Sequence, residues 1–241
     1  MTAQTGRRRA RIAAAVLAAG LATACAPAPA QDVRLFTSLP ILWSESDKLG
    51  GMIDAPPHWV ADALRAEGKV TPLDSLEALD PDDTALLVLA QPRPLSPAEN
   101  VALDAWVAGG GHVLLFADPL LTEGSGFALG DRRRPEGTVL LSPILRRWGL
   151  ELLFDESQPA GPREIEVFGE DVPIDLAGEF LPTGRNPTCR TEGSGLAVLC
   201  RVGKGSVLAL ADAALLDASR EGRSARWAVL SALVRKARTP A

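Results

Sequence analysis

The chain has 241 residues, 25 of them Lys or Arg and 30 Asp or Glu, which gives a formal net charge of −5 at pH 7. An acidic chain is a poor candidate for binding nucleic acid or an anionic lipid surface, because both carry negative charge themselves. Its length is enough to bury one good hydrophobic core in a single domain.

The first residues have the pattern of an export signal. Four arginines, beginning with Arg7, precede the apolar residues 12–21, which are too few to span a bilayer as a stable helix. The sequence therefore predicts a signal peptide over residues 1–24 and a Pro/Ala linker over residues 25–32. Removal of the signal takes away four arginines and no acids, which leaves 21 basic against 30 acidic residues.

Two routes of processing remain open. The small residues before Cys25 resemble a lipoprotein box, in which Cys25 becomes the acylated first residue of a membrane-anchored protein. Ordinary signal-peptidase cleavage after Ala24 or Ala30 would give a soluble protein instead. Both routes predict a location on the periplasmic side of the cell envelope of a Gram-negative bacterium.

The body of the protein retains two cysteines, Cys189 and Cys200. Residues 193–195 between them, Gly-Ser-Gly, are a turn signal, so the segment predicts a hairpin or loop whose ends meet in a disulfide. Two reduced, buried cysteines are the alternative. A metal site is not predicted, because C-x-x-C spacing and a neighbouring histidine are both missing.

Short apolar runs alternate with amphipathic segments along the rest of the chain. The predicted strands are residues 33–38, 70–73, 84–90, 112–117, 150–154, 164–168, 172–176, 196–202 and 206–211. The predicted helices are residues 58–67, one turn at 75–79, 97–108, 142–148 and 224–237.

This alternation predicts an α/β fold with a doubly wound, mostly parallel sheet of the flavodoxin-like kind. We expect a single domain over residues 33–241. It includes a small β-rich insert at about residues 155–204, which forms an antiparallel extension or edge.

Ligands of such sheets bind outside the carboxyl ends of the strands. The residues predicted there, or in loops above that edge, are Ser38, Trp43, Gln91, Asp118, Arg132, Arg133 and Asp212. Asp118 and Asp212 could form an acid/base or divalent-metal pair, or they could cap the turns that follow the strands. The arginine loop could bind an anion or be solvated, and Trp43 could bind a ligand or anchor its loop.

No complete catalytic set is visible. His58, at the start of a helix, and His112, at the far end of a strand, are predicted to be structural. The nucleophile elbow and the glycine-rich phosphate motifs are absent, and residues 203–205 (Gly-Lys-Gly) indicate a tight turn. The sequence therefore predicts no catalytic residue, no cofactor and no bound metal.

Residues 84–119 carry a more specific pattern. A buried strand is followed by Gln-Pro-x-Pro-Leu-Ser-x-x-Glu, a helix, Gly-Gly, a second strand and Asp-Pro. Ser96 and Glu99 form a capping box with Pro97 at the first helical position. The pattern resembles the GldG-type family, the auxiliary domain of an "ABC-type uncharacterised transport system", in a short exported subgroup.

That family is similar in fold to class I glutamine-amidotransferase domains without the catalytic cysteine. The resemblance implies a non-enzymatic envelope domain that works with an ABC permease or ATPase, or with another envelope protein or ligand. Longer members carry a C-terminal membrane helix, which we do not find here, and an acylated Cys25 would replace it. The rival predictions are a solute-binding component and a periplasmic hydrolase that cleaves glycans or peptides through Asp118 and Asp212.

Overall fold

A seven-stranded sheet forms the centre of the protein in a computed structural model that describes residues 32–43, 45, 58–184, 188–218 and 222–239. Residues 31–241 make one compact unit. The predicted signal peptide, Cys25 and residues 26–31 of the predicted linker lie outside the described residues.

Strands and helices follow one another along most of the chain. The strands are β1 Val33–Thr37, β2 Val70–Pro72, β3 Leu86–Ala90, β4 His112–Phe116, β5 Leu150–Leu153, β6 Arg163–Val167, β7 Glu170–Ile174, β8 Glu179–Pro182, β9 Cys189–Glu192, β10 Ala197–Val202 and β11 Gly205–Leu210. The helices are α1 Trp59–Glu67, α2 Pro97–Gly109, α3 Ser142–Arg147 and α4 Arg223–Arg238, with one 3₁₀ turn at Ala214–Leu216.

The strand order of the sheet is β2-β1-β3-β4-β11-β10-β9. The first five are parallel, and β10 and β9 continue the sheet in antiparallel pairing. In the parallel part this is the flavodoxin-like order, whose switch point lies between β1 and β3. The predicted α/β fold with a mostly parallel sheet is confirmed.

Helices cover both faces of the sheet, so the sheet is doubly wound. Side chains of β3 alternate between two cores: Leu86 and Val88 face one, and Leu87 and Leu89 face the other. Helices α1 and α4 close the first core, and α2 and α3 close the second. Burial on both faces explains why these strands are nearly continuous apolar runs.

Helix α2 begins with the predicted capping box. Ser96 Oγ accepts the amide of Glu99, and the carboxylate of Glu99 accepts the amide of Ser96 at 2.8 Å. Glu99 is buried, and its carboxylate also receives two hydrogen bonds from Arg93 at 2.8 and 2.9 Å. These hydrogen bonds from Arg93 lower the pKa of Glu99 to about 2.

The end of α2 packs backbone to backbone against the turn between β10 and β11. Lys204 donates its amide to the carbonyl of Ala108, and Ser206 donates to Gly111. A Cβ on Gly205 would collide with the carbonyls of Val107 and Gly111, so only glycine fits there. Gly203 lies similarly close to the backbone of Ala108, so this contact explains the Gly-Lys-Gly turn. Gly111 is needed because a Cβ there would collide with the Trp106 ring.

Two expectations about local structure are wrong. Residues 75–79 form turns rather than a turn of helix, and side chains hold these turns. The amide of Leu76 donates to the carboxylate of Glu99 and the amide of Glu77 donates to Ser75 Oγ, both at 3.2 Å. Strand β8 was not expected, and it pairs with β5 in a separate two-stranded sheet. Pairs β5–β8 and β6–β7 therefore lie outside the central sheet, whereas β9 and β10 extend it.

Cys189 and Cys200 form a disulfide, with an S–S distance of 2.04 Å. The two residues lie opposite each other in the β9–β10 pair, so the bond ties the edge strand to its neighbour. The sequence left open a disulfide or two reduced cysteines, and the structure contains the disulfide.

Candidate binding edge of the central sheet

Ser38, Gln91 and Asp118 follow β1, β3 and β4, and the structure brings them together at the carboxyl edge. Ser38 Oγ donates to the carbonyl of Gln91 at 2.6 Å and accepts the amide of Glu136 at 3.0 Å. Gln91 accepts the amide of Asp118 on its Oε1, and its Nε2 donates to the carbonyls of Asp118 and Glu136. The three residues thus clamp the strand ends to the loop above them.

Gln91 makes this clamp from a restricted backbone conformation. Its φ is +44°, in the left-handed region that side chains other than glycine seldom occupy. Its side chain is fully buried, and the amide group makes three hydrogen bonds to main-chain groups. Buried amides need such partners, so this contact offsets part of the backbone cost.

Asp118 and Asp212 end the neighbouring strands β4 and β11, and both are buried. Asp118 accepts the amides of Leu120 and Ala213 on its two oxygens. Asp212 likewise accepts the amides of Ala214 and Asp175. Each of the four carboxylate oxygens therefore holds one backbone amide, which is the bonding of a turn cap.

The two aspartates hold protons unusually tightly for carboxyl groups. Burial, assisted by the charge of Asp175, raises the pKa of Asp118 to about 6. Burial, with repulsion from Asp118, raises the pKa of Asp212 to about 8. Near neutral pH the pair therefore carries about one proton, and its charge changes between acidic and mildly alkaline pH.

Trp43 lies in the loop after β1, against a residue of the loop after β4. Its ring centroid is 5.9 Å from that of Phe127, which is buried, and the guanidinium carbon of Arg133 lies 4.2 Å from the Phe127 ring centroid. Arg133 also pairs with Asp131 at 2.7 Å. Trp43 and Arg133, which the sequence predicted as separate candidates, therefore both lie against the ring of Phe127.

Glu45 ties the same two loops together. Its carboxylate accepts the hydroxyl of Ser125 at 2.8 Å and the amide of Gly126 at 2.6 Å. Arg134 donates to the carbonyl of Phe127 at 2.6 Å, while Arg132 is exposed. These contacts hold the loop above the sheet edge in place around Phe127, and Arg132 is exposed to solvent.

The two histidines lie elsewhere. His58 caps α1, with Nδ1 accepting the amide of Val60, and burial lowers its pKa. His112 Nδ1 lies 2.7 Å from Ser206 Oγ at the amino ends of β4 and β11, opposite the predicted edge, and burial lowers its pKa as well. Within the described ranges, no three His, Cys, Asp or Glu side chains are grouped to hold a metal ion.

Sequence reasoning missed three participants at this edge. Phe127 and Glu45 connect the loops, and Asp175 places its amide on Asp212. Phe127 is the one aromatic residue in a loop rich in glycine and arginine, which is a usable signal. Glu45 and Asp175 have none, because their partners are distant in sequence.

One known protein family matches the chain. The family described as "ABC-type uncharacterized transport system" matches residues 36–158. The chain matches none of the curated proteins. No described helix has the length and apolar character needed to cross a membrane.

Among solved structures, the exo-β-1,4-mannosidase Op5Man5 from Opitutaceae bacterium strain TAV5 is 16% identical with a TM-score of 0.52, over 85% of this chain and 36% of that one. The β-galactosidase from Rahnella sp. R3 is 15% identical with a TM-score of 0.47, over 88% and 32%. A ThuA-like protein from Bacteroides uniformis is 9% identical with a TM-score of 0.47, over 87% and 93%. The chain spans about a third of the two glycosidases, and identities this low concern the fold alone.

Proposed function

This chain belongs to the ABC-type uncharacterized transport system family, and from that premise we propose that it is a non-catalytic accessory domain of such a system. In this proposal it acts on the periplasmic side of the cell envelope, where it binds a permease, an ATPase-linked subunit or another envelope protein. An acylated Cys25 would hold it at the membrane.

The observation that carries the non-catalytic proposal is the bonding of Asp118 and Asp212. A general acid or base needs a carboxylate oxygen within reach of substrate. Here both side chains are buried, and each oxygen accepts a backbone amide. This bonding supports a role in holding the loops at the sheet edge.

The binding surface in this proposal is the pair of loops that meet at Phe127. Trp43 and Arg132 supply an aromatic ring and an exposed cation, the residue types that are enriched in protein interfaces. Ser38 and Gln91 support the surface from below, because their polar atoms bond the strand ends and the backbone of Glu136.

Substitutions on the loop surface test this proposal. Trp43→Ala and Arg132→Glu are expected to reduce cross-linking to transporter subunits in envelope preparations. The melting temperature is expected to stay close to that of the wild type for Arg132→Glu and to fall slightly for Trp43→Ala, which loses the contact with Phe127. Lys204→Glu is a matched control, since Lys204 is also an exposed cation but lies in the β10–β11 turn at the opposite edge of the sheet. Equal losses for Arg132→Glu and Lys204→Glu would contradict a specific role of these loops.

A hydrolase remains the second candidate, because buried acids with raised pKa values are typical of catalytic sites. The purified protein would then cleave glycan or peptide substrates, and Asp118→Asn or Asp212→Asn would abolish cleavage without unfolding the protein. We expect no cleavage by the wild type. Turnover that disappears in both variants would replace the accessory role with the hydrolase.

A further inference from the structure

Residues 150–184 concentrate negative charge on one part of the protein. They contain nine acidic side chains and one basic side chain, Arg163. The guanidinium of Arg163 is already bound to Gln158 Oε1 at 2.6 Å and to the carbonyl of Pro159 at 2.7 Å. Both acceptors are neutral, so Arg163 keeps its positive charge, and nine acids against one base leave the segment with a formal net charge of −8.

The β5–β8 pair in this segment has one face that packs on the core and one that does not. Leu150, Leu152 and Phe180 point to the core, so alternation turns their neighbours outward. The outward side chains, which we name the outer β5–β8 face, are Glu151, Leu153, Glu179 and Leu181. Leu153 and Leu181 are 44% and 45% exposed.

Across this face the two strands place a leucine opposite a glutamate twice. Glu151 pairs with Leu181, and Leu153 pairs with Glu179. Neither glutamate forms an ion pair with any residue in the part of the chain that the structure describes. The face thus exposes apolar area next to these two glutamates, and Arg146 of α3 adds one positive charge in the pocket that it lines with Glu151.

A cleft of about 470 Å³ adjoins the outer β5–β8 face. Leu153 and Glu179 form part of its wall, and Ile165 of β6 and Leu196 before β10 lie among its apolar lining. Asp155 adds a further carboxylate to the lining, and Arg163 adds one guanidinium. An apolar side chain inserted beside Leu153 would therefore lie close to two acidic groups.

We propose that this face and cleft dock a segment of a partner protein that carries apolar side chains flanked by lysine or arginine. Charge complementarity selects this occupant. A second copy of the chain would place glutamates against glutamates, and an anionic lipid surface would be repelled. The proposal rests on the accessory role in naming the chemistry of the partner that such a domain binds.

Peptides of defined charge test the surface. The probes are two fluorescein-labelled nonapeptides of alternating sequence, one of lysine and leucine and one of glutamate and leucine. By fluorescence anisotropy, the wild type is expected to bind the lysine peptide, more weakly as salt rises, and to ignore the glutamate peptide. Absence of binding to the lysine peptide would overturn the proposal.

Two double variants locate the binding. Glu151→Gln with Glu179→Gln is expected to raise Kd about tenfold, and Leu153→Ser with Leu181→Ser is expected to raise it by a similar factor. The control is Glu164→Gln with Glu166→Gln, which removes the same charge from exposed positions on β6. A control effect as large as that of the Glu151 and Glu179 pair would show attraction to net charge and overturn the docking surface.

Sedimentation velocity checks the other occupant. A wild-type dimer that dissociates in the Leu153→Ser, Leu181→Ser variant would overturn the proposal in favour of a second copy. The accessory role and this surface can fail independently. Absence of peptide binding while transporter subunits still co-purify would overturn only this surface. Peptide binding without any transporter subunit in the envelope would support the surface and contradict the accessory role.

Discussion

Asp118 reaches from the end of β4 to accept the amide that follows Asp212 at the end of β11. This contact brings two buried carboxyl groups to one point of the sheet edge, where burial and mutual repulsion favour the protonated form. Backbone amides therefore hold this edge together, and the folded protein is less stable when both carboxyl groups are ionised.

The first prediction concerns stability above pH 4. The folded-state pKa values of about 6 and 8 lie above the ordinary value of 3.8, so the folded protein binds more protons than the unfolded chain in this range. The free energy of unfolding is therefore expected to fall as pH rises from about 4 to about 8, by at most about 1.4 kcal/mol per pH unit for each proton. Urea unfolding at successive pH values measures this slope.

Asp212→Asn is the matching variant, because asparagine cannot ionise. It is expected to flatten the slope between pH 6 and 8, whatever its stability at one pH. A wild-type slope that persists in Asp212→Asn would show that other groups cause the pH dependence.

The second prediction has the opposite sign and concerns Glu99. Its pKa of about 2 in the folded protein lies below the ordinary value of 4.5, so its contribution is present above pH 4.5 and is lost as pH falls towards 2. Glu99→Ala also removes the capping box. Because the Arg93 side chain is 42% exposed and screened by water, we expect a loss of about 2 kcal/mol at neutral pH.

Ser96→Ala provides a comparison, since it removes only one half of the capping box. It is expected to cost about 1 kcal/mol. Equal costs for the two substitutions in chemical denaturation would mean that the bonds of Glu99 to Arg93 and Leu76 add nothing beyond the cap.

A third prediction concerns the contact between the β10–β11 turn and α2. Gly205→Ala places a Cβ on the carbonyls of Val107 and Gly111 and is expected to cost about 3 kcal/mol, because backbone must move. Gly137→Ala is the control: its Cβ meets open space, and its effect is expected to stay within about 1 kcal/mol. Similar melting temperatures for the two variants would contradict the close approach.

The fourth prediction concerns the disulfide. Cys189 and Cys200 are 11 residues apart, so replacing both by alanine is expected to cost about 3 kcal/mol through the entropy of the unfolded chain. Mass spectrometry after thiol labelling should find no free thiol on either residue before reduction. Full labelling of both without reductant would contradict the bond.

Local patterns were enough to predict the central βαβ unit. The strand at residues 84–90, the Ser96–Glu99 box and the glycine stop each depend on neighbours in sequence, and the structure has all three elements. The common location of Ser38, Gln91, Asp118 and Asp212 at one edge was also predictable, because parallel strands end on the same side of a sheet.

Long-range pairing explains what the sequence did not predict. Strand β8 contains one buried residue, Phe180, among exposed or half-buried ones, and it exists because β5 lies beside it. The turns at 75–79 are held in part by Glu99, 23 residues away in sequence from Leu76. The joining of Trp43 to Phe127 depends in the same way on two loops that only the fold brings together.

The most direct test of the accessory role is cross-linking followed by mass spectrometry of the tagged mature protein from the envelope fraction. The account predicts stoichiometric peptides of an ABC permease or ATPase, together with an acylated N-terminal Cys25. A protein recovered without acylation and without any transporter subunit would contradict it.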